Sequence, residues 1–304
     1  MDYVLTTSAL SKKYGKFDAL KNLNMHIPKG AIYGFVGKNG AGKTTLIRLI
    51  CGLQTPSSGE YSIYGIKNTD KNICRTRRRM GAVVETPSIY LDMTARDNLK
   101  QQCLVLGLPS YEIIDETLEL VGLADTGKKK ARNFSLGMKQ RLGIAVALIG
   151  NPDLIVLDEP VNGLDPQGIV EVRELVLKLN RESGITFLIS SHILDELSKI
   201  ATNYGFIDKG QIVKEISAEE LNAACRKCLC VKVSDTKILS RVLDRLDIEY
   251  EVISDTEANI FDEIKLTTLM ESLSAEGCEL ISSNEKEENL ETYFMNLMGG
   301  VSNE

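Results

Sequence analysis

The chain has no tryptophan and only two histidines, His26 and His192, in 304 residues. Neither histidine is near the cysteine group Cys225-x2-Cys228-x-Cys230. A four-ligand Cys/His zinc site around that group therefore has no local histidine. Long apolar runs are also missing. No stretch approaches the roughly 18 residues needed to cross a bilayer. The start, Met1-Asp2-Tyr3-Val4, lacks the charged-then-apolar pattern of a secretory signal. These absences argue against a secreted or membrane-spanning chain. The seven cysteines are odd in number and mostly scattered. Reduced thiols in a cytosolic protein fit that usage better than a disulfide framework. Cys228 and Cys230 alternate with Leu229 and Val231, as in a strand, and read as small buried hydrophobes.

With 43% hydrophobic and 26% charged residues, the chain has enough apolar material for a real core. Its net charge of −6 is unevenly distributed. Residues 1–215 hold 28 Lys+Arg against 23 Asp+Glu, and residues 216–304 hold 8 against 19. Two units are expected, over 1–216 and 217–304. Two basic runs, Arg75-x-Arg77-Arg78-Arg79 and Lys128-Lys129-Lys130, are short, separate and free of interleaved aromatics. They read as solvated faces, with no nucleic acid implied. The acidic second unit reads as a solvated surface with no ligand assigned.

Residues 31–36 form a short apolar run, followed by a glycine-rich loop and a helical pattern over 43–51. A second helical pattern, over 136–149, stops at Gly150-Asn151-Pro152. Residues 154–157 and 185–189 suit buried parallel strands, with a helix over 167–182 between them. Lys209-Gly210 joins two strand-like segments as a hairpin. This alternation predicts an α/β fold with a mostly parallel sheet. The second unit reads as β-α-β-β-α-β with a tail helix over 290–297, the order of a ferredoxin-like unit.

Gly37-Lys38-Asn39-Gly40-Ala41-Gly42-Lys43-Thr44 fits G-x-x-x-x-G-K-[ST] between an expected strand and helix. Glycines let backbone N–H groups close around phosphate oxygens, and the helix N-terminus adds its positive end. Lys43 would meet the β- and γ-phosphates, and the Thr44 hydroxyl, next to Thr45, would ligate Mg2+. The apolar run before Asp158-Glu159 delivers two acids to the carboxyl edge of the sheet, where ligands of such sheets bind. Asp158 is the candidate Mg2+ ligand and Glu159 the candidate general base. His192 ends the second apolar run and is a candidate γ-phosphate sensor.

Together these segments resemble the nucleotide-binding subunit of an ABC transporter over about residues 1–216. Phe134-Ser135-Leu136-Gly137-Met138-Lys139-Gln140-Arg141 is similar to the family's signature segment, and Gly163-Leu164-Asp165 to its D-loop. The resemblance implies a P-loop ATPase domain with a helical signature subdomain, ATP and Mg2+ as ligands, and Tyr14 stacked on adenine. It also implies a head-to-tail homodimer in which Ser135 and Gly137 meet the nucleotide of the other subunit. The missing span implies a separate membrane permease, with this chain peripheral on the cytoplasmic side. Leu136 and Met138 stand where the family usually has Gly and Gln. Glu85 stands at the Q-loop position, where Gln is usual, and would contact Mg2+ or the attacking water. Glu85, its setting Gly81-Ala82-Val83-Val84-Glu85-Thr86-Pro87 and the end Leu290-Glu291-Thr292-Tyr293-Phe294 resemble exporters that protect cells from bacitracin and lantibiotics. Other cargoes (lipid, ion or polysaccharide) and a soluble ATPase acting on DNA or ribosomes are the alternatives. A single phosphate loop and the lack of coiled-coil insertions weigh against the soluble reading.

Overall fold

The computed structural model describes residues 2–225, 228–286 and 293. It divides into two compact units, Met1–Ala218 and Glu219–Glu304.

The first unit contains two sheets. Strands β1 (Tyr3–Tyr14) and β2 (Phe17–Pro28) form a long hairpin. With β4 (Ser58–Ile63) and β5 (Ile66–Lys67) they make an antiparallel sheet of order β2-β1-β4-β5. The other sheet has the order β10-β9-β3-β8-β7-β6. Its strands are β3 (Ile32–Val36), β6 (Met80–Val83), β7 (Leu154–Asp158), β8 (Thr186–Ser191), β9 (Asn203–Asp208) and β10 (Gln211–Ser217). All neighbours are parallel except the hairpin pair β9–β10. Every residue of β3, β7 and β8 is buried, which is why their central residues read as apolar runs.

Parallel register aligns the strand ends that carry the candidate acids. Val83 is level with Leu157, Asp158 with Ser190, and Val36 with Ser191. The carboxyl edge of the sheet is therefore one continuous rim. Helix α1 (Lys43–Ile50) leaves that rim after β3, α6 (Pro166–Ser183) after β7 and α7 (Leu194–Ser198) after β8. Asp165 caps α6 by accepting from the Gly168 N–H at 3.1 Å, and left-handed Gly184 ends it.

A short helix α2 (Ile73–Thr76) precedes β6. Helices α3 (Ala95–Leu106), α4 (Ile113–Leu120) and α5 (Leu136–Leu148) lie between β6 and β7 in the chain. Thr94 and Asp97 form a capping box at α3. Ser135 caps α5, its Oγ accepting from the Met138 N–H at 3.2 Å. The main core joins Leu5, Leu20 and Leu23 of the antiparallel sheet to Phe35, Val156 and Leu188 of the parallel one, with Leu46 and Ile47 of α1 between.

The second unit opens with α8 (Ala218–Ala224), whose first residue belongs to the first unit. Then come β11 (Cys228–Val233), α9 (Thr236–Arg245), β12 (Tyr250–Val252), β13 (Glu257–Ile260), α10 (Leu266–Ala275) and β14 (Leu280–Lys286). The sheet order β12-β13-β11-β14, antiparallel throughout, is that of a ferredoxin-like unit. Val231 and Val233 pack with Leu239, Leu243, Leu269 and Leu273. Apart from Tyr293, the tail helix expected over 290–297 lies outside the described residues.

Candidate active site

The loop between β3 and α1 is shaped by close approaches that exclude a side chain. A Cβ on Gly37 would lie 2.6 Å from the Ile207 carbonyl oxygen. One on Gly42, which has φ +113°, would lie 2.8 Å from the Ala19 oxygen. The helix that follows has no acid in its first turn, so its positive end is left for an anion. Lys43 opens that helix and is only 6% exposed. Its Nζ donates to the carbonyls of Gly37 (2.6 Å) and Lys38 (3.3 Å) and lies 3.2 Å from Glu159 Oε1.

Glu159 follows β7 with φ +50°, a left-handed backbone that a side-chain-bearing residue rarely adopts. Its N–H is held by Ser190, by the Oγ at 2.9 Å and the carbonyl at 3.2 Å. Its other carboxylate oxygen lies 2.8 Å from His192 Nδ1. Lys43, Glu159 and His192, far apart in the chain, thus form one contiguous group.

Asp158 is buried beside them. Ser190 Oγ donates to its Oδ1 at 2.6 Å, while its Oδ2 is buried with no partner in the protein. An orphaned carboxylate oxygen in a buried site costs about 1–3 kcal/mol unless something satisfies it. Together with the Thr44 hydroxyl at the helix start, it offers the all-oxygen donor set that a hard divalent cation prefers. The residues fit Mg2+. Ser190 escaped the sequence reading. The signal was the parallel register that sets it opposite Asp158.

Glu85 stands after the strand next to β7. It follows β6 in a left-handed conformation, φ +60°, and its carboxylate pairs with Arg48 of α1 at 2.6 Å. Tyr14 stands at the outer end of β1, 41% exposed. Its hydroxyl bonds Gln54 and Lys12 Nζ lies 5.3 Å from its ring centroid. Ser135 and Gly137 open α5. A Cβ on Gly137 would lie 3.5 Å from the Gly168 Cα, so the first turns of α5 and α6 touch. The Leu136 side chain rests 3.4 Å from where a Gly163 Cβ would stand. The basic run after α2 has structural work. Arg77 donates to the Ile50 carbonyl and the Tyr61 hydroxyl, and Arg79 covers the Tyr64 ring at 4.0 Å and pairs with Asp153.

A family model for the ABC transporter matches residues 20–162. The bacitracin transport ATP-binding protein BcrA of Bacillus licheniformis is 42% identical over 303 residues, 99% of either chain. The chain belongs to the ABC transporter ATP-binding family. The lantibiotic transport ATP-binding protein SrtF of Streptococcus pyogenes is 43% identical over 212 residues, 70% of this chain and 90% of that one. Among solved structures, a dimeric ATP-binding cassette in a post-hydrolysis state with ADP and Pi matches 70% of this chain and 98% of its own, at 26% identity and a TM-score of 0.63. A nucleotide-free cassette from an ABC transporter covers 72% of this chain and 92% of its own, at 28% identity and a TM-score of 0.64. This ABC ATPase has no helix among the described residues that is long and apolar enough to cross a membrane.

Proposed function

We propose that this ABC ATPase powers efflux of bacitracin- or lantibiotic-type peptides through a separate membrane permease, from the cytoplasmic face of the membrane. The observation that carries the reading is the Lys43–Glu159–His192 group beside the orphaned Asp158 oxygen, in a chain 42% identical to a bacitracin transport ATPase along its whole length. Residues 1–216 are the engine and 217–304 an accessory unit in this reading.

The loop 37–42, Lys43, Thr44 and Thr45 bind the ATP phosphates, and the ring of Tyr14 carries the adenine. Thr44 and Asp158, with Glu85 able to join them, hold Mg2+, which supplies charge neutralisation at the phosphates. When Lys43 turns to the phosphates, Glu159 loses its ammonium partner and becomes a better proton acceptor for the attacking water. His192 holds Glu159 in place and can reach the terminal phosphate. Two copies pack head to tail, so that Ser135 and Gly137 close over the nucleotide of the other copy. Binding closes the dimer, hydrolysis opens it, and the permease follows. A cleft lined by Thr86, Pro87, Tyr90, Gln101 and Val105 begins directly after Glu85. Tyr90 and Val105 are 57% and 75% exposed there, and we place the permease contact on it.

The test is the growth of cells that carry the chain with its permease, challenged with bacitracin and with a nisin-type lantibiotic. The inhibitory concentration of at least one should rise several-fold, and Lys43→Ala should abolish the rise. Equal sensitivity to both peptides with and without the transporter contradicts the cargo assignment.

A further inference from the structure

Two adjacent parallel strands end alike. β6 is followed by Glu85 and β7 by Glu159, and both glutamates are left-handed, at φ +60° and +50°. Val83 is level with Leu157, so the two acids leave the sheet side by side at the same rim. Their side chains go to different cations. Glu159 is held by Lys43 and His192. Glu85 is held by Arg48, which stands one helical turn beyond Thr44 on the same face of α1. The glutamate that leaves the sheet next to Glu159 is thus tethered to a guanidinium on the same helix that presents Thr44.

Arg48 and Glu85 are 37% and 55% exposed. A pair this open adds about 0–1 kcal/mol to folding stability. Stability does not explain why Glu85 holds a backbone conformation that itself costs about 1–3 kcal/mol. Positioning does. A free carboxylate at this rim would face the phosphates of ATP with like charge, and would add a third acid to Asp158 and Glu159.

We propose that Arg48 is a positioning residue that competes with the divalent cation for the Glu85 carboxylate. With Arg48 engaged, Glu85 is neutralised and withheld. When the cation arrives with nucleotide, Glu85 exchanges the guanidinium for it. When the cation leaves, Arg48 takes the carboxylate back. Arg48 therefore weakens cation binding and eases its release. This rests on the proposed role of Glu85 at the cation site.

The test measures binding rather than turnover. The chain is titrated with the fluorescent analogue mant-ATP, excited directly, in excess Mg2+ and in EDTA. The quantity read is the ratio of the two affinities. Arg48→Gln should raise that ratio about three- to tenfold, because Glu85 is freed for the cation, and should change it less than about twofold in a Glu85→Gln background. Arg48→Lys should stay within about twofold of the wild type, since it keeps the charge. An unchanged ratio in Arg48→Gln overturns the proposal. So does an equal rise in both backgrounds, which would mean that Arg48 acts through its own field alone. Failure of the underlying reading looks different: Glu85→Gln by itself would then leave the ratio unchanged. Thermal melting of Arg48→Gln should match the wild type, which separates positioning from folding.

Discussion

Ser190 shows how much of the site depends on one side chain that supports two others. Its hydroxyl donates to Asp158 and accepts from the Glu159 N–H, so one oxygen orients both acids. Supporting contacts of this kind are worth about 10–100-fold in activity or metal affinity. Ser190→Ala should therefore lower the rate of ATP hydrolysis about 10- to 100-fold while ATP affinity in EDTA stays near that of the wild type. A phosphate-release assay with mant-ATP titration on the same sample checks both. The candidate site residues that a fixed spacing marks were legible in the sequence: Lys43 and Thr44 in the loop, and Asp158-Glu159 after an apolar run. Ser190 and Arg48 were not. Their partners lie 32 and 37 positions away, and only strand register or a helix turn brings them together.

At the scale of elements, the parallel sheet was readable because β3, β7 and β8 are wholly buried, and apolar but for the polar residues at the ends of β7 and β8. The antiparallel sheet was not. β1 has register shifts between Thr7 and Leu10 and again before Lys12, with left-handed Ala9 at the first. Such bulges break the two-residue alternation that marks a strand. The two sheets are tied by Glu215 of β10. It accepts from the His26 N–H at 2.8 Å and the Tyr33 hydroxyl at 2.6 Å, and its other oxygen lies 2.9 Å from His26 Nδ1. Burial, reinforced by the Glu215 charge, pushes the Tyr33 phenol well above its ordinary value, so it stays a protonated donor. Glu215→Ala leaves that buried hydroxyl unpaired. It should destabilise the first unit by about 1–3 kcal/mol in urea titration, without altering the Mg2+ dependence of ATP binding.

For the whole molecule, the charge balance and the chain's compact units change at neighbouring positions. The basic segment ends near residue 216 and the compact first unit at Ala218, and the relative from Bacillus licheniformis matches along both units. The match to the family model, over residues 20–162, stays within the first unit. The ferredoxin-like order of the second unit was visible in its alternation of short strands and helices, because each element is a single uninterrupted run. In the proposed function, Lys43, Asp158, Glu159 and His192 form a hydrolytic site that governs dimer closure. Glu159→Gln tests it most directly, with phosphate release and light scattering on one purified sample in Mg2+ and ATP. Hydrolysis should fall at least about 100-fold, the range expected for a lost general base, while ATP still binds and the protein accumulates as a dimer. Full turnover by this variant, or a monomer that binds ATP but never pairs, would rule out Glu159 as the base of a site that closes the dimer.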